Sequence, residues 1–293
     1  MTATILKAGG ALTVGPVIPK AFKTYKARVE ADGGYIVNEA ECAAAFVFAA
    51  KHGITTGFAA SPSWGVRLMD SFNDGGFPGV DKLYSLFDSG DLSNPYVPNT
   101  SSWRDFPFTE NEGFDSVHFQ SGETWSFQPT TSLPQITVAT SYVGMVAVRS
   151  PNANTATEGY LIAKGTDANV ARRVSVSNEP TGGSSRLRVQ VGTSVWGTAY
   201  GATKAALDRW KVSGVYCSTT QIKAIEDGAI AATTASVLLL ATDYRIQVMQ
   251  DANGSGGFNS RPAEAWFGEA WAIPDASEAF ALALAARMAG KYE

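Results

Sequence analysis

Few side chains in this sequence are equipped for chemistry, and their spacing restricts what they could do. His52 and His118 are the two histidines. A Ser-His-Asp mechanism needs an imidazole beside an activated serine, and no G-x-S-x-G turn is present to expose one. His52 ends an alanine-rich run, where the last carbonyls of a helix favour an imidazolium. His118 alternates with Val117 and Phe119 in a strand-like pattern. Cys42 and Cys217 stand in unrelated contexts, without the spacing of a zinc site or a disulfide framework, and read as small buried thiols. No metal is expected. Asp243, Asp251 and Asn253 are the nearest oxygen ligands, and a calcium-like ion takes about six or more.

Carboxylates are the other reactive class. A glycoside-cleaving sandwich needs two of them roughly 5–9 Å apart, and on one strand that means positions i and i+2, which share a face. Glu264 and Glu269 point to opposite faces unless a bulge at Gly268 shifts the register. Glu110 and Glu112 have the right spacing but fall in a loop-rich stretch. All four read as solvated acids, so no catalytic residue and no cofactor is expected. Ligand contact is better provided for: exposed aromatic rings stack on sugars and anchor partners. Trp64, Trp103, Tyr96 and Trp125 are the candidates, whereas Trp210, Trp266 and Trp271 read as core.

Strands and turns must position these groups. In Trp210–Ala232, Trp210, Val212, Gly214 and Tyr216 alternate with Lys211, Ser213 and Val215, the period of a half-buried strand. Ile222, Ala224 and Glu226 follow in a second alternation, and Asp227-Gly228 offers the positive φ angles of a tight hairpin. Further strand patterns cover Ser116–Phe119, Thr124–Phe127, Gln135–Val148, Gly159–Lys164, Arg172–Val176, Arg186–Val191, Thr193–Ala199, Ser236–Leu240, Arg245–Gln250 and Pro262–Ala272. Turn signals recur between them, a cadence that suits a two-sheet sandwich. Asn38 with Glu41 forms a capping box ahead of a helix striped by Ala43, Phe46, Val47 and Ala50 and stopped by Gly53. Asp275-Ala276-Ser277-Glu278 opens a last helix, carrying Phe280, Leu284 and Met288 and ending at Gly290. Residues 1–27 read as an extended arm that must pack on something, and 61–115 as loop, with only Asp81–Phe87 regular.

The expected organisation is an arm plus a loop-rich helical module over 1–113, for anchoring and assembly. A mainly β, two-sheet antiparallel jelly roll with a C-terminal helix follows over 114–293. The balance of 23 basic and 27 acidic residues, net −4, disfavours nucleic acid. Arg172, Arg173, Arg186 and Arg188 belong to two neighbouring strands, as a solvated sheet face. The longest apolar runs fall far short of the roughly 20 residues needed to cross a bilayer, so no membrane insertion is expected. Met1–Gly10 lacks a signal-peptide core, so the product is expected to stay in its cell or leave by lysis or within an assembly.

Three segments resemble the laminin-G-like, concanavalin-A-type jelly roll: Gly159–Gly165 (GYLIAKG), Trp210–Gly228 with its W-x-x-V…I-x-x-x-D-G pattern, and Glu264–Lys291. The likeness covers about 114–292, and its motifs are apolar and structural. Upstream, Tyr25–Glu30 with Gly33-Gly34, the helix after Asn38, Trp64–Arg67 and Lys82–Leu86 resemble the leader that precedes this jelly roll in structural proteins of tailed bacteriophages. That resemblance implies a non-enzymatic virion protein, assembled in the host cytoplasm as a tail component or capsid decoration. Its partners would be other virion subunits, further copies of itself and, as an alternative, a host-surface glycan held as by a lectin. A polysaccharide-cleaving enzyme of the same fold is the second alternative.

Overall fold

The structure is a computed structural model that describes residues 19–69, 78–87, 90–93, 108–119, 135–149, 157–165, 173–180, 184–192, 196–202, 204–205, 209–235, 241–249 and 265–292. The first part of the chain holds α1 (Lys20–Ala31), β1 (Tyr35–Ile36), α2 (Glu39–Lys51), β2 (Phe58–Ala60), β3 (Gly65–Met69), β4 (Gly79–Leu83), β5 (Leu92–Ser93) and β6 (Phe108–Asn111). There follow β7 (Phe114–Phe119), β8 (Gln135–Val138), β9 (Ser141–Arg149), β10 (Thr157–Gly165), β11 (Arg173–Pro180), β12 (Ser184–Gly192) and β13 (Trp196–Tyr200). The remainder is β14 (Lys204–Ala205), β15 (Trp210–Ser218), β16 (Gln221–Glu226), β17 (Ala229–Ala235), β18 (Ala241–Val248), β19 (Ala265–Pro274) and α3 (Glu278–Tyr292).

The strands form a two-sheet antiparallel jelly-roll sandwich. The inner sheet runs β17-β16-β15-β9-β19-β7-β6, with β2 added on β19, and the outer sheet runs β13-β12-β11-β10-β18-β8, with β14 on β12. Period-two alternation sorts the side chains. Val146 and Val148 of β9, Val215 and Cys217 of β15, and Phe267 of β19 meet Val174, Val176, Val189 and Ile246 of the outer sheet in one core. The intervening Val143, Met145, Ala147, Val212 and Trp271 face the other way, into a second core with Phe280, Leu284 and Met288 of α3 and Phe46 of α2. The inner sheet is thus buried on both faces, and the molecule has three layers: helices, inner sheet, outer sheet.

The Asp227-Gly228 hairpin forms as its residues dictate, with φ of 45° and 85° and Glu226 paired to Ala229 across the turn. Asn38 caps α2 by accepting from the Glu41 N–H at 3.0 Å, and Ser277 caps α3 through the Phe280 N–H at 3.2 Å. Other expectations are corrected. Residues 20–27 are not an extended arm but most of α1, whose Phe22, Tyr25 and Val29 share a buried stripe. On α2 the buried face is Cys42, Ala45, Phe46 and Ala49, while Val47 is 51% exposed. The helix α3 passes through Gly290 to Tyr292. The N-terminal region is also more regular than a loop-rich module with one helix, since β1-β3-β4-β5 form a small sheet beside two helices. Its Val66, Val80, Leu83 and Leu92 are continuous with the sandwich core. Thr124–Phe127 and Ser236–Leu240 lie outside the described residues.

Candidate functional site

Of the four aromatic contact candidates, Tyr96, Trp103 and Trp125 lie outside the described residues. Trp64 is described, and it is interior: its exposure is 0%. The indole N–H donates to Glu41 Oε1 at 3.1 Å, and the ring meets Trp271 edge-on with centroids 5.8 Å apart. A ring enclosed in this way presents no face to a sugar or partner, so Trp64 serves the core. It follows β2, a strand that pairs with β19 and brings this corner of the chain under α2.

The carboxylate candidates have equally structural positions. A bulge interrupts β19 between Phe267 and Glu269, the register change that Gly268 made possible, and it turns Glu269 into the helical layer. There Glu269 is 0% exposed. It accepts from the Trp271 indole at 2.6 Å, Arg287 Nη1 at 2.5 Å and Lys291 Nζ at 3.0 Å. Lys291 also bonds Glu41, linking α2, α3 and β19 in one buried network. Burial alone would raise the Glu269 pKa, but the two cations and the indole hold it at about 2. A carboxylate locked in the ionised form, with its oxygens occupied, is a poor proton donor. Glu264 lies outside the described residues. Glu110 is on β6, and Glu112 is in the turn of the β6–β7 hairpin, ion-paired to Arg149 at 3.2 Å.

The histidines and cysteines are also accounted for. His52 is the C-cap residue of α2, against Phe48 and Phe280. His118 stacks on Trp266 across the β7–β19 pair, at 4.7 Å and 3°. Both cysteines are buried and free, and burial pushes both thiols well up from their ordinary range, which suppresses the reactive thiolate. No cluster of three or more metal-ligating side chains exists among the described residues. No described helix is long and apolar enough to cross a membrane.

The outward face of the outer sheet has a different character. Along β11 and β12 the valines and Leu187 point inward, so Ser175, Ser177, Glu179, Arg186, Arg188 and Gln190 point out. The register sets Arg186 opposite Glu179, Arg188 opposite Ser177 and Gln190 opposite Ser175. Two guanidiniums share one carboxylate: Arg186 Nε and Nη2 lie 2.6 and 2.5 Å from Glu179 Oε2, and Arg188 Nη1 lies 3.4 Å from Oε1. The Arg186 guanidinium also sits 3.7 Å over the ring of Tyr200, which remains 38% exposed. On β18, Gln247 faces the same way, between the inward Ile246 and Val248. It is only 9% exposed, and its Oε1 has no hydrogen-bond partner among the described residues. The sequence places Arg186 and Arg188 on a sheet face beside β11, as found. It did not single out Glu179, Tyr200 or Gln247, although alternation alone puts Glu179 on that face.

A second recess lies between α1 and α2, a cleft of about 490 Å³ walled by Ala21, Tyr25, Phe46, Ala49, Ile54 and Phe87. Its polar end is Arg28, whose Nη1 donates to both Asp91 carboxylate oxygens at 3.0 and 2.9 Å.

No family model matches the chain, and no curated protein matches it. Solved structures align with part of the chain at low identity. The CBM40 module of Ruminococcus gnavus IT-sialidase, bound to alpha2,3 sialyllactose, is 10% identical over 58% of this chain and 97% of its own, with a TM-score of 0.40. A heptameric SAP-like pentraxin from Limulus polyphemus is 17% identical over 62% and 79%, at 0.37. Trypanosoma rangeli sialidase in complex with sialic acid is 10% identical over 77% and 32%, at 0.44. Scores in this range carry no argument about ligand or activity. The jelly-roll assignment rests on this chain's own topology.

Proposed function

We propose that this protein is a non-enzymatic, lectin-like binding module whose outer-sheet face holds a glycan. One observation carries the reading: Glu179, Arg186, Arg188 and Tyr200 form a linked polar and aromatic cluster on a sheet face that no described helix covers, and elsewhere on that face Gln247 Oε1 is buried without a hydrogen-bond partner among the described residues. Sugar hydroxyls are paired donors and acceptors. They match a surface that mixes guanidinium donors, carboxylate and amide acceptors and a partly exposed aromatic ring. An acceptor left unsatisfied costs about 1–3 kcal/mol, a cost that a ligand hydroxyl donating to Gln247 relieves. The opposite side of the sandwich is closed by α2 and α3, and Glu269, the acid that a hydrolase reading would favour, is consumed by its ion pairs. The virion setting implied by the leader has no support in the structural neighbours, so the proposal rests on this face alone.

The test is a screen of the full chain against immobilised neutral and acidic oligosaccharides, followed by titration calorimetry on any hit with the wild type and Arg188→Ala. Binding by the wild type that weakens at least tenfold in the variant, with unchanged circular dichroism, supports the proposal. No bound glycan, equal binding by both proteins, or turnover of the bound polysaccharide overturns it.

A further inference from the structure

One edge of the inner sheet is left open. The strand β17 ends the strand order on that side, and no described strand pairs with its outer side. It is seven residues long, and five of the seven are exposed. In an antiparallel pair alternate residues turn their N–H and C=O away from the neighbour, so this side presents a row of backbone donors and acceptors. Edges are ordinarily blunted by shortness, charge or proline. The strand β6, at the other end of the same sheet, is protected in that way: it has four residues and carries the exposed Glu110. By contrast β17 reads Ala-Ile-Ala-Ala-Thr-Thr-Ala, without charge or proline, and Ile230 is 39% exposed. Its register with β16 steps over Ala231, a bulge that leaves Ala232–Ala235 regular.

We propose that β17 pairs antiparallel with β17 of a second copy of this chain, about a two-fold axis at Thr233 perpendicular to the sheet, so that two inner sheets become one. The pairing sets Thr233 against Thr233 of the partner subunit, and Ala232 against Thr234 of the partner subunit. Ala232 packs against the sandwich core. Thr233 lies opposite Lys223, which reaches Glu278 of α3 at 2.5 Å, so it faces the helical layer. Each face of the joined sheet therefore continues across the axis, core beside core and helices beside helices. The composition of the edge selects a second copy as its occupant. A two-fold contact sets a patch against itself, so any charge near the axis would meet its own copy, and this strand has none. Small and β-branched residues meet there instead, and cross-strand threonines add a favourable pair. The contact is narrow against the roughly 1,600 Å² of a standard interface, which makes the dimer weak and reversible. Both outer-sheet faces then point the same way, and the dimer is bivalent, a consequence that alone rests on the proposed glycan reading.

Sedimentation velocity of the full chain from about 5 to about 500 μM tests this, with a shift from monomer to dimer expected. Thr233→Glu is the breaking variant. It sets a carboxylate beside Lys223 in its own chain, which the fold accepts, and two carboxylates face to face on the axis. Dimerisation should weaken at least tenfold with native circular dichroism. Under mild oxidation Thr233→Cys should form an intermolecular disulfide at least tenfold faster than Lys51→Cys, an exposed position away from the edge; Cys42 and Cys217 are buried and do not compete. A wild type that stays monomeric at the highest concentration, a dimer that Thr233→Glu leaves intact, or equal cross-linking at the two positions overturns the proposal. The glycan screen is read separately: a monomer that binds glycan removes the dimer alone, and a dimer that binds none removes only the bivalence.

Discussion

Replacing Glu269 by glutamine preserves the side chain's shape and removes its charge, which isolates the electrostatic part of the network under α3. The carboxylate is fully buried and ion-paired to Arg287 and Lys291, whose side chains are 18% and 17% exposed. Breaking a buried pair by removing one partner costs about 3–5 kcal/mol, because the remaining charges stay desolvated. Here Lys291 keeps Glu41, and the amide can still accept from the Trp271 indole, so the lower end applies, about 3 kcal/mol. Linkage gives a figure of the same size. Burial pushes the Glu269 pKa up, but Arg287 and Lys291 outweigh it and lower it from 4.5 to about 2, and each unit corresponds to about 1.4 kcal/mol. A depressed pKa means that the unfolded state takes up the proton first as the pH falls. The stabilisation is therefore complete above about pH 4.5 and disappears as the pH approaches 2. Urea unfolding at pH 7 should show Glu269→Gln less stable by about 3 kcal/mol. Between pH 5 and pH 2.5 the wild type should lose stability more steeply than the variant, and the two should converge. A variant within about 1 kcal/mol of the wild type at pH 7, or an identical pH slope, refutes the argument that this carboxylate is a buried, permanently charged staple.

Two other outcomes follow from the interior. Gly214 lies where an added Cβ would run into the Met145 sulfur and the Gly144 carbonyl, so Gly214→Ala should destabilise by about 1–3 kcal/mol through overpacking, measured as a lower urea midpoint at unchanged slope. Native protein should show no thiol reaction with a colorimetric disulfide reagent over minutes, because Cys42 and Cys217 are buried with raised pKa values, and both should react once it is unfolded. Fast labelling of either in the native state contradicts their placement.

The sandwich was legible because its signals are local. Alternation from Trp210 to Glu226 names the inward residues, and Asp227-Gly228 names the turn. The missing parts depend on partners distant in sequence. The stripe of Phe22, Tyr25 and Val29 on α1 gains meaning only from Gly65 and Tyr84, which the Tyr25 hydroxyl engages by accepting from one backbone N–H and donating to the other residue's carbonyl. Val47 was placed in the buried stripe because an aliphatic residue at helical spacing looks buried, and the sequence of α2 is apolar on every side. Trp64 looked like a loop aromatic because Ser61-Pro62-Ser63 precedes it. Its enclosure depends on Trp271 and Glu41, neither adjacent in the chain. Polar face residues were similarly hidden: Glu179 and Gln247 sit in runs whose strand character was read, but only the register of β11 with β12, and of β10 with β18, puts them on one surface.

The division of labour between the two sheets explains why the binding proposal falls where it does. A sheet covered on both faces must be apolar on both, and β9 obeys this: all but one of its nine residues are buried. Such a sheet has no surface left for recognition except its rim. The outer sheet has only one face in the apolar core, so its other face can be polar: it carries Ser175 and Ser177, themselves only 3% and 1% exposed, where β9 carries Met145 and Ala147. The buried charges Glu269, Arg287 and Lys291 hold the helical cover in register without contributing a surface. On the proposed reading, substitutions that abolish binding without loss of stability should fall among Glu179, Arg186, Arg188 and Tyr200.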